Sequence, residues 1–144
     1  MKYILDTNVY LAAFRSVATR AQFRQAFFPL LPATFLSAVV AYELSVDARD
    51  SFTRDLVRDF IHPLERARRL VTPSFDDWME ASRIITSIAE RNRGWRSKLP
   101  ALLNDVLIAL TARNIGAVLL THNREDFLLI RRYKNFELRI LEVS

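Results

Sequence analysis

A chain of 144 residues, 51% hydrophobic and 26% charged, is sized for one domain spanning 1–144. Such a domain buries about two-thirds of its unfolded surface around a single core. With no cysteine, disulfides, thiolate zinc sites and cysteine nucleophiles are excluded, and two histidines, His62 and His122, leave little for a histidine metal site or triad. The longest apolar runs, such as Leu102-Leu103 and Val106–Leu110 cut by Asn104-Asp105, are too short to span a membrane. Met1-Lys2, three apolar residues and then Asp6 make no signal-peptide core, so a cytoplasmic protein without membrane attachment is expected. The charge is +5, and 18 of the 21 basic residues are Arg, the side chain that pairs with phosphate bidentately and stacks on bases. That balance leans towards a polyanionic partner such as nucleic acid.

In chain order, Tyr3-Ile4-Leu5 reads as a buried strand that runs into the helix-starting residues Asp6, Thr7 and Asn8. Val9–Phe14 and Thr19–Phe28 carry helical periodicity, with Thr19 as a cap and Pro29 and Pro32 as stops. Thr34–Leu36 is a short strand, and Ser37 opens a helix to about Ala48. Phe52–Ile61 is expected to be helical, capped by Ser51 and ended before Pro63, with His62 near its end. Arg68–Thr72 fits a strand, Pro73-Ser74 a helix start and Phe75–Arg91 the longest helix. Asn92–Pro100 reads as a loop. Leu102–Asn114 is helical, closed by Gly116, and Val118–Thr121 is the next buried strand. A short helix should follow, and Phe136–Val143 alternates as an edge strand. The alternation predicts an α/β fold, with a central parallel sheet flanked by helices on both faces and all strand C-termini on one edge. Trp78 and the Phe residues are read as core or partner surface, with core preferred.

Four acids stand out on this frame. Asp6 ends the first strand, where open α/β sheets place ligands, although it could simply cap the next helix. Glu43 has Val39, Val40 and Val46 as helical neighbours, and Asp105 has Ile108, Ala109 and Ala112, so both carboxylates face apolar surroundings. An inward acid needs a cation, a hydrogen-bond network or a raised pKa, and an Arg bridge is the ordinary answer. Asp126 follows the Val118–Thr121 strand and could equally cap the following helix. Should the four converge, they would need a divalent cation. All-oxygen donors favour Mg²⁺ or Mn²⁺, and two such ions roughly 3.5 to 4 Å apart can hydrolyse a phosphodiester.

Leu5-Asp6-Thr7-Asn8, the helical Glu43, Asn104-Asp105 opening an Ala-rich helix, and Leu120-Thr121-His122-Asn123-Arg124-Glu125-Asp126-Phe127 together resemble a PIN-domain ribonuclease, most like the VapC-type toxins of toxin-antitoxin pairs. The resemblance runs from Lys2 to about Leu141. It implies a metal-dependent endoribonuclease in which Asp6, Glu43, Asp105 and Asp126 match the acidic positions. By analogy, Asp6 and Asp105 are the direct metal ligands and Glu43 orients water or metal. Thr7, Asn8, Asn104, Thr121 and Asn123 are the supporting polar residues. The resemblance also implies a homodimer, an RNA substrate and a cognate antitoxin that blocks the acidic pocket.

Asn92–Pro100 is a basic, Trp-containing insert outside the motif pattern. Arg93, Arg96 and Lys98 around Trp95 could grip an RNA backbone while the indole stacks on a base, or Trp95 could pack on the core. His122 lies beside the site, yet metal-activated water needs no imidazole base. Two alternatives remain at this stage: a PIN-like nucleic-acid or protein-binding module without catalysis, and a housekeeping RNA-processing nuclease. An aspartyl-phosphate mechanism on Asp6 is disfavoured because position 8 is Asn, and Gly94 and Gly116 are too few glycines for a phosphate-binding loop.

Overall fold

A computed structural model describes residues 1–142. The two remaining positions, 143 and 144, lie outside the described residues, including the last residue of the strand expected over Phe136–Val143. The chain folds as β1 (Lys2–Leu5), α1 (Thr7–Ala13), α2 (Val17–Phe27), β2 (Thr34–Ser37), α3 (Ala38–Asp47), α4 (Ser51–Arg66), β3 (Leu70–Val71), α5 (Phe75–Arg91), α6 (Leu99–Asn114), β4 (Ala117–Thr121), α7 (Arg124–Arg131) and β5 (Glu137–Ile140). Short 3-10 turns, Phe28–Ala33 and Arg93–Lys98, precede β2 and α6.

The strands form one parallel sheet in the order β3-β2-β1-β4-β5, as the alternating pattern predicts. From β1 the chain steps outward through β2 to β3, then returns across the sheet to β4 and on to β5. Right-handed crossovers running in opposite directions put their helices on opposite faces. The strand order therefore reverses between β1 and β4, which is where doubly wound sheets open a crevice at the strand C-termini. Register pairs Leu5 with Leu120, and the ladder ends with Asp6 N–H donating to the Leu120 carbonyl at 2.9 Å. Asp6 and Thr121 are thus brought side by side at the reversal.

The core explains why these segments hold. Ile4, Leu119 and Leu120 of the central strands are sealed between Val40 and Leu44 of α3, Ile84 and Ile88 of α5, and Leu102 through Ala112 of α6. β4 is buried along its whole length, as a central parallel strand covered on both faces must be. Gly116 takes φ +66° just after α6, a left-handed position that ends the helix and turns the chain into β4. Among the described residues no helix is long and apolar enough to cross a membrane.

Several expectations are corrected. Ser16, not Thr19, caps α2: its hydroxyl accepts from Thr19 N–H, while the Thr19 hydroxyl accepts from Ser16 N–H, a reciprocal capping box. Asp50, not Ser51, caps α4. The helix runs through Pro63 to Arg66, so His62 is an exposed mid-helix residue. The strand expected over Arg68–Thr72 contracts to Leu70–Val71, preceded by Arg68 at φ 55°. The loop expected over Asn92–Pro100 is a 3-10 turn that feeds α6 from Leu99, with Pro at a first-turn position where its missing N–H costs nothing. Trp78 is 50% exposed and Phe75 76%, beside exposed Met79, so this end of α5 is surface rather than core. Val46 of α3 is also exposed.

Candidate active site

Four polypeptide segments deliver acids to the crevice. Asp6 is buried directly after β1 and does two things at once. Its Oδ1 accepts the Thr7 N–H at 2.8 Å, capping α1, and its Oδ2 accepts the Thr121 hydroxyl at 2.7 Å. Helix capping and presentation at the site are therefore one arrangement rather than alternatives.

Thr121 cannot turn its proton elsewhere. Its oxygen already accepts the Asn123 N–H at 3.0 Å and the Asn8 amide at 3.4 Å, so its single O–H goes to Asp6. Asn8 completes the bracket by accepting the His122 N–H at 3.2 Å. Glu43, half-buried on α3, is held through both carboxylate oxygens. The Thr7 hydroxyl donates to Oε1 at 2.6 Å and the Asn104 amide to Oε2 at 3.3 Å. Asp126 accepts the Asn123 side-chain amide N–H at 2.8 Å, and Asn123 Oδ1 accepts the Asp126 backbone N–H at 3.3 Å. Asn123, rather than Asp126, is therefore the cap of α7.

Asp105, on the second turn of α6, feels the charge of the other three. Burial first, and then the charges of Asp6, Asp126 and Glu43 with a hydrogen bond to Asp126, push its carboxyl from the ordinary 3.8 to about 9. Asp6 rises to about 6, chiefly through burial and also through Glu43, against the lowering effect of its bonds to Thr121 and Thr7. The Arg-bridge explanation fails here. Ion pairs among the described residues join Arg58, Arg83 and Lys134 to Asp55, Asp59 and Glu80, and none touches these four acids.

Carboxyls crowded without a cation resist ionisation, and the group fits a hard divalent ion in kind: oxygen donors only, excess negative charge and no protein counter-charge. Among the described residues no three His, Cys, Asp or Glu side chains are gathered closely enough to hold a metal ion as they stand. Three of the acids are instead satisfied by neutral donors, Asp6 by Thr121, Glu43 by Thr7 and Asn104, and Asp126 by Asn123.

Every acidic and supporting polar residue singled out from the sequence is thus placed in one connected network or in its field. The basic insert stands apart in character. Arg93, Arg96 and Lys98 are exposed, whereas Trp95 is partly buried against the core with the Lys98 ammonium 4.9 Å from its ring centre. One contact had no sequence signal: His122 Nδ1 lies 2.9 Å from the Leu141 carbonyl, across the end of β5. Only the pairing of β5 beside β4 brings these residues together.

A family model described as PIN domain matches residues 3–133. No curated protein matches the chain in sequence. Its fold is similar to a chain in the crystal structure of VapBC2 from Rickettsia felis bound to a DNA fragment from their promoter, with TM-score 0.67, 20% identity, and 99% of this chain and 100% of that chain covered. It is also similar to a chain in DNA-bound VapBC from Salmonella typhimurium (TM-score 0.65, 21% identity, 97% and 98% covered). FitAcB from Neisseria gonorrhoeae is a third such structure (TM-score 0.64, 18% identity, 94% and 95% covered).

Proposed function

The chain belongs to the PIN-domain family, and from that premise we propose that it is a metal-dependent endoribonuclease, the toxin of a type II toxin-antitoxin pair. The observation that carries this reading is the meeting of Asp6, Glu43, Asp105 and Asp126 at the sheet's reversal point without a protein cation. Negative charge gathered where a phosphodiester would lie is useless for binding RNA by itself, and useful once a divalent ion sits between them.

Asp6 and Asp105 would hold Mg²⁺ or Mn²⁺, with Glu43 and Asp126 completing the acidic set; the bound ion would supply Lewis acidity and an activated water for in-line phosphodiester hydrolysis. The surrounding residues set the aim. Thr121 fixes the Asp6 rotamer, Thr7 and Asn104 grip the two oxygens of Glu43, and Asn123 steadies Asp126. Such outer contacts orient ligands and typically matter 10- to 100-fold. Asn8 ties the α1 start to the β4–α7 turn across the crevice. Exposed Arg93, Arg96 and Lys98 supply sequence-independent contacts to the RNA backbone.

A cytoplasmic homodimer restrained by a cognate antitoxin follows from the likeness to VapC-type toxins. Exposed Tyr42, Val46, Phe75, Trp78 and Met79 on α3 and α5 offer apolar surface for protein partners. The deciding experiment is RNA cleavage by wild type and Asp105→Asn, each with Mg²⁺, Mn²⁺ or excess EDTA. Metal-dependent cleavage by wild type, reduced at least 100-fold in the variant, is expected. Equal cleavage by both, or cleavage that survives EDTA, overturns the assignment. Induction in cells should arrest growth with wild type and not with Asp105→Asn.

A further inference from the structure

A metal-activated water attacks phosphorus without help from the ribose 2′-hydroxyl. A nuclease of this kind must distinguish RNA from DNA by shape or by a group that reads that hydroxyl, and the second route leaves a residue to find. Next to the acidic crevice lies an open cavity of about 330 Å³, between α1, α2 and the turn after β4. Its apolar walls include Val9 and Ala12 of α1 and Phe23 and Ala26 of α2, and the polar groups around it include Arg15, Gln22, His122 and the carboxylate of Glu142. Phe23, whose ring packs with Tyr10, Phe27 and Phe60, adds apolar surface to this wall beside the small alanines, and Arg15 and Gln22 carry donors and an acceptor suited to base edges.

His122 connects this cavity to the acids. It follows Thr121, whose hydroxyl holds Asp6, and its backbone N–H is tied to Asn8. The imidazole lies close enough to favour the ionised form of Asp6. Its Nδ1 faces the Leu141 carbonyl at 2.9 Å, an acceptor only, so Nδ1 carries hydrogen whatever the charge of the ring. His122 lines the cavity, and its Nε2 makes no protein hydrogen bond among the described residues. It accepts in the neutral ring and donates in the charged one, and a 2′-hydroxyl answers both.

We propose that this cavity is the subsite for the nucleoside beside the scissile phosphate, its base held against the apolar wall of α1 and α2 by Arg15 and Gln22, and its 2′-hydroxyl read by His122 Nε2. The subsite rests on the nuclease reading and deepens it. His122 is then the residue that makes the enzyme prefer RNA.

The test is a 2′-deoxy scan. A short RNA containing one cleavage site is made with a single deoxynucleotide at each position in turn, and kcat/KM is measured for wild type, His122→Ala and His122→Gln. The same oligonucleotides are titrated by fluorescence anisotropy in excess EDTA. For wild type, one deoxy position next to the cut should lower kcat/KM and affinity about tenfold, the effect of one hydrogen bond. His122→Ala should lose about the same factor on the all-ribose strand and become indifferent to that position. His122→Gln, which keeps a donor and an acceptor, should restore part of the sensitivity, an outcome that damaged packing would not give. If His122→Ala remains as sensitive as wild type, or wild type ignores every deoxy position while still cleaving, the subsite is refuted and the nuclease reading stands. If wild type cleaves nothing with either metal, the nuclease reading falls, and the anisotropy series decides the subsite separately.

Discussion

Asp105→Asn should stabilise the metal-free protein, and the gain should depend on pH in a specific way. The carboxyl titrates near 3.8 in the unfolded chain and near 9 in the folded one, because burial and three neighbouring acids penalise its charge. The folded state therefore binds one more proton than the unfolded state between those values, and stability falls as pH rises through that window. Below pH 4 the carboxyl is neutral in both states and the substitution should be almost silent. Above it the gap should open by about 1.4 kcal/mol per pH unit, reaching about 4 kcal/mol at pH 7 and levelling off near pH 9. For a chain of this size that corresponds to a Tm rise of roughly 8 to 16 °C at pH 7. Thermal and urea unfolding of both proteins in EDTA from pH 4 to 9 measures the gap directly. Excess Mg²⁺ should close it by stabilising wild type alone, because a cation replaces the proton as the neutralising charge. A pH-independent gap, or a variant less stable than wild type at pH 8, would refute the picture of Asp105 as the uncompensated centre of the cluster.

Other expected outcomes are simpler to read. Thr121→Val leaves Asp6 Oδ2 and the Asn123 N–H without their partner in a fully buried position, and should cost about 1–3 kcal/mol in urea unfolding and 10- to 100-fold in cleavage. Thr121→Ser should recover most of both, and no recovery would mean that the methyl rather than the hydroxyl matters. Gly116→Ala should cost about 1 kcal/mol through its positive φ alone, since an added Cβ would meet nothing within 4 Å; a loss several times larger would mean the turn into β4 is packed more tightly than described. Combining Arg93→Ala with Arg96→Ala should lower the slope of log affinity for single-stranded RNA against log salt by roughly 1.4, without changing which bond is cut. An unaltered slope would remove the 93–98 turn from the binding surface.

The parts of this fold that were readable from the amino-acid order are those governed by local periodicity and by residues placed at strand ends. The buried run before Asp6 and the wholly apolar β4 fix the two central strands, and with them the position of Asp6 against Thr121. Ser37 and Ser74 mark their helices because a side-chain oxygen must meet an otherwise unpaired N–H. Where two signals compete, reading fails. Ser16 and Thr19 are both good caps and share one box, and Pro63 terminates nothing because the buried stripe Val57, Ile61 and Leu64 continues past it. Trp78 shows the limit of composition: Asp77, Ala81, Ile84 and Ile88 form the inward stripe of α5, which leaves the indole on its flank, half exposed. The Thr7–Glu43 and Asn104–Glu43 bonds join residues 36 and 61 positions apart. Their partners could be guessed as a set, but only the packing of α1, α3 and α6 makes them pairs.

The closing of Thr121 onto Asp6 spans 115 positions and joins the first strand of the sheet to the fourth. On a ribosome moving at about 5–20 residues per second, Asp6 emerges roughly 6 to 23 seconds before its partner has been made. During that interval the nascent chain holds only fragments of the acidic crevice, with Asp105 arriving late in it and Thr121 at its close. For a protein proposed to destroy RNA, this ordering delays hazard until the fourth strand has been made, so that danger to the translating cell begins with the late docking of β4.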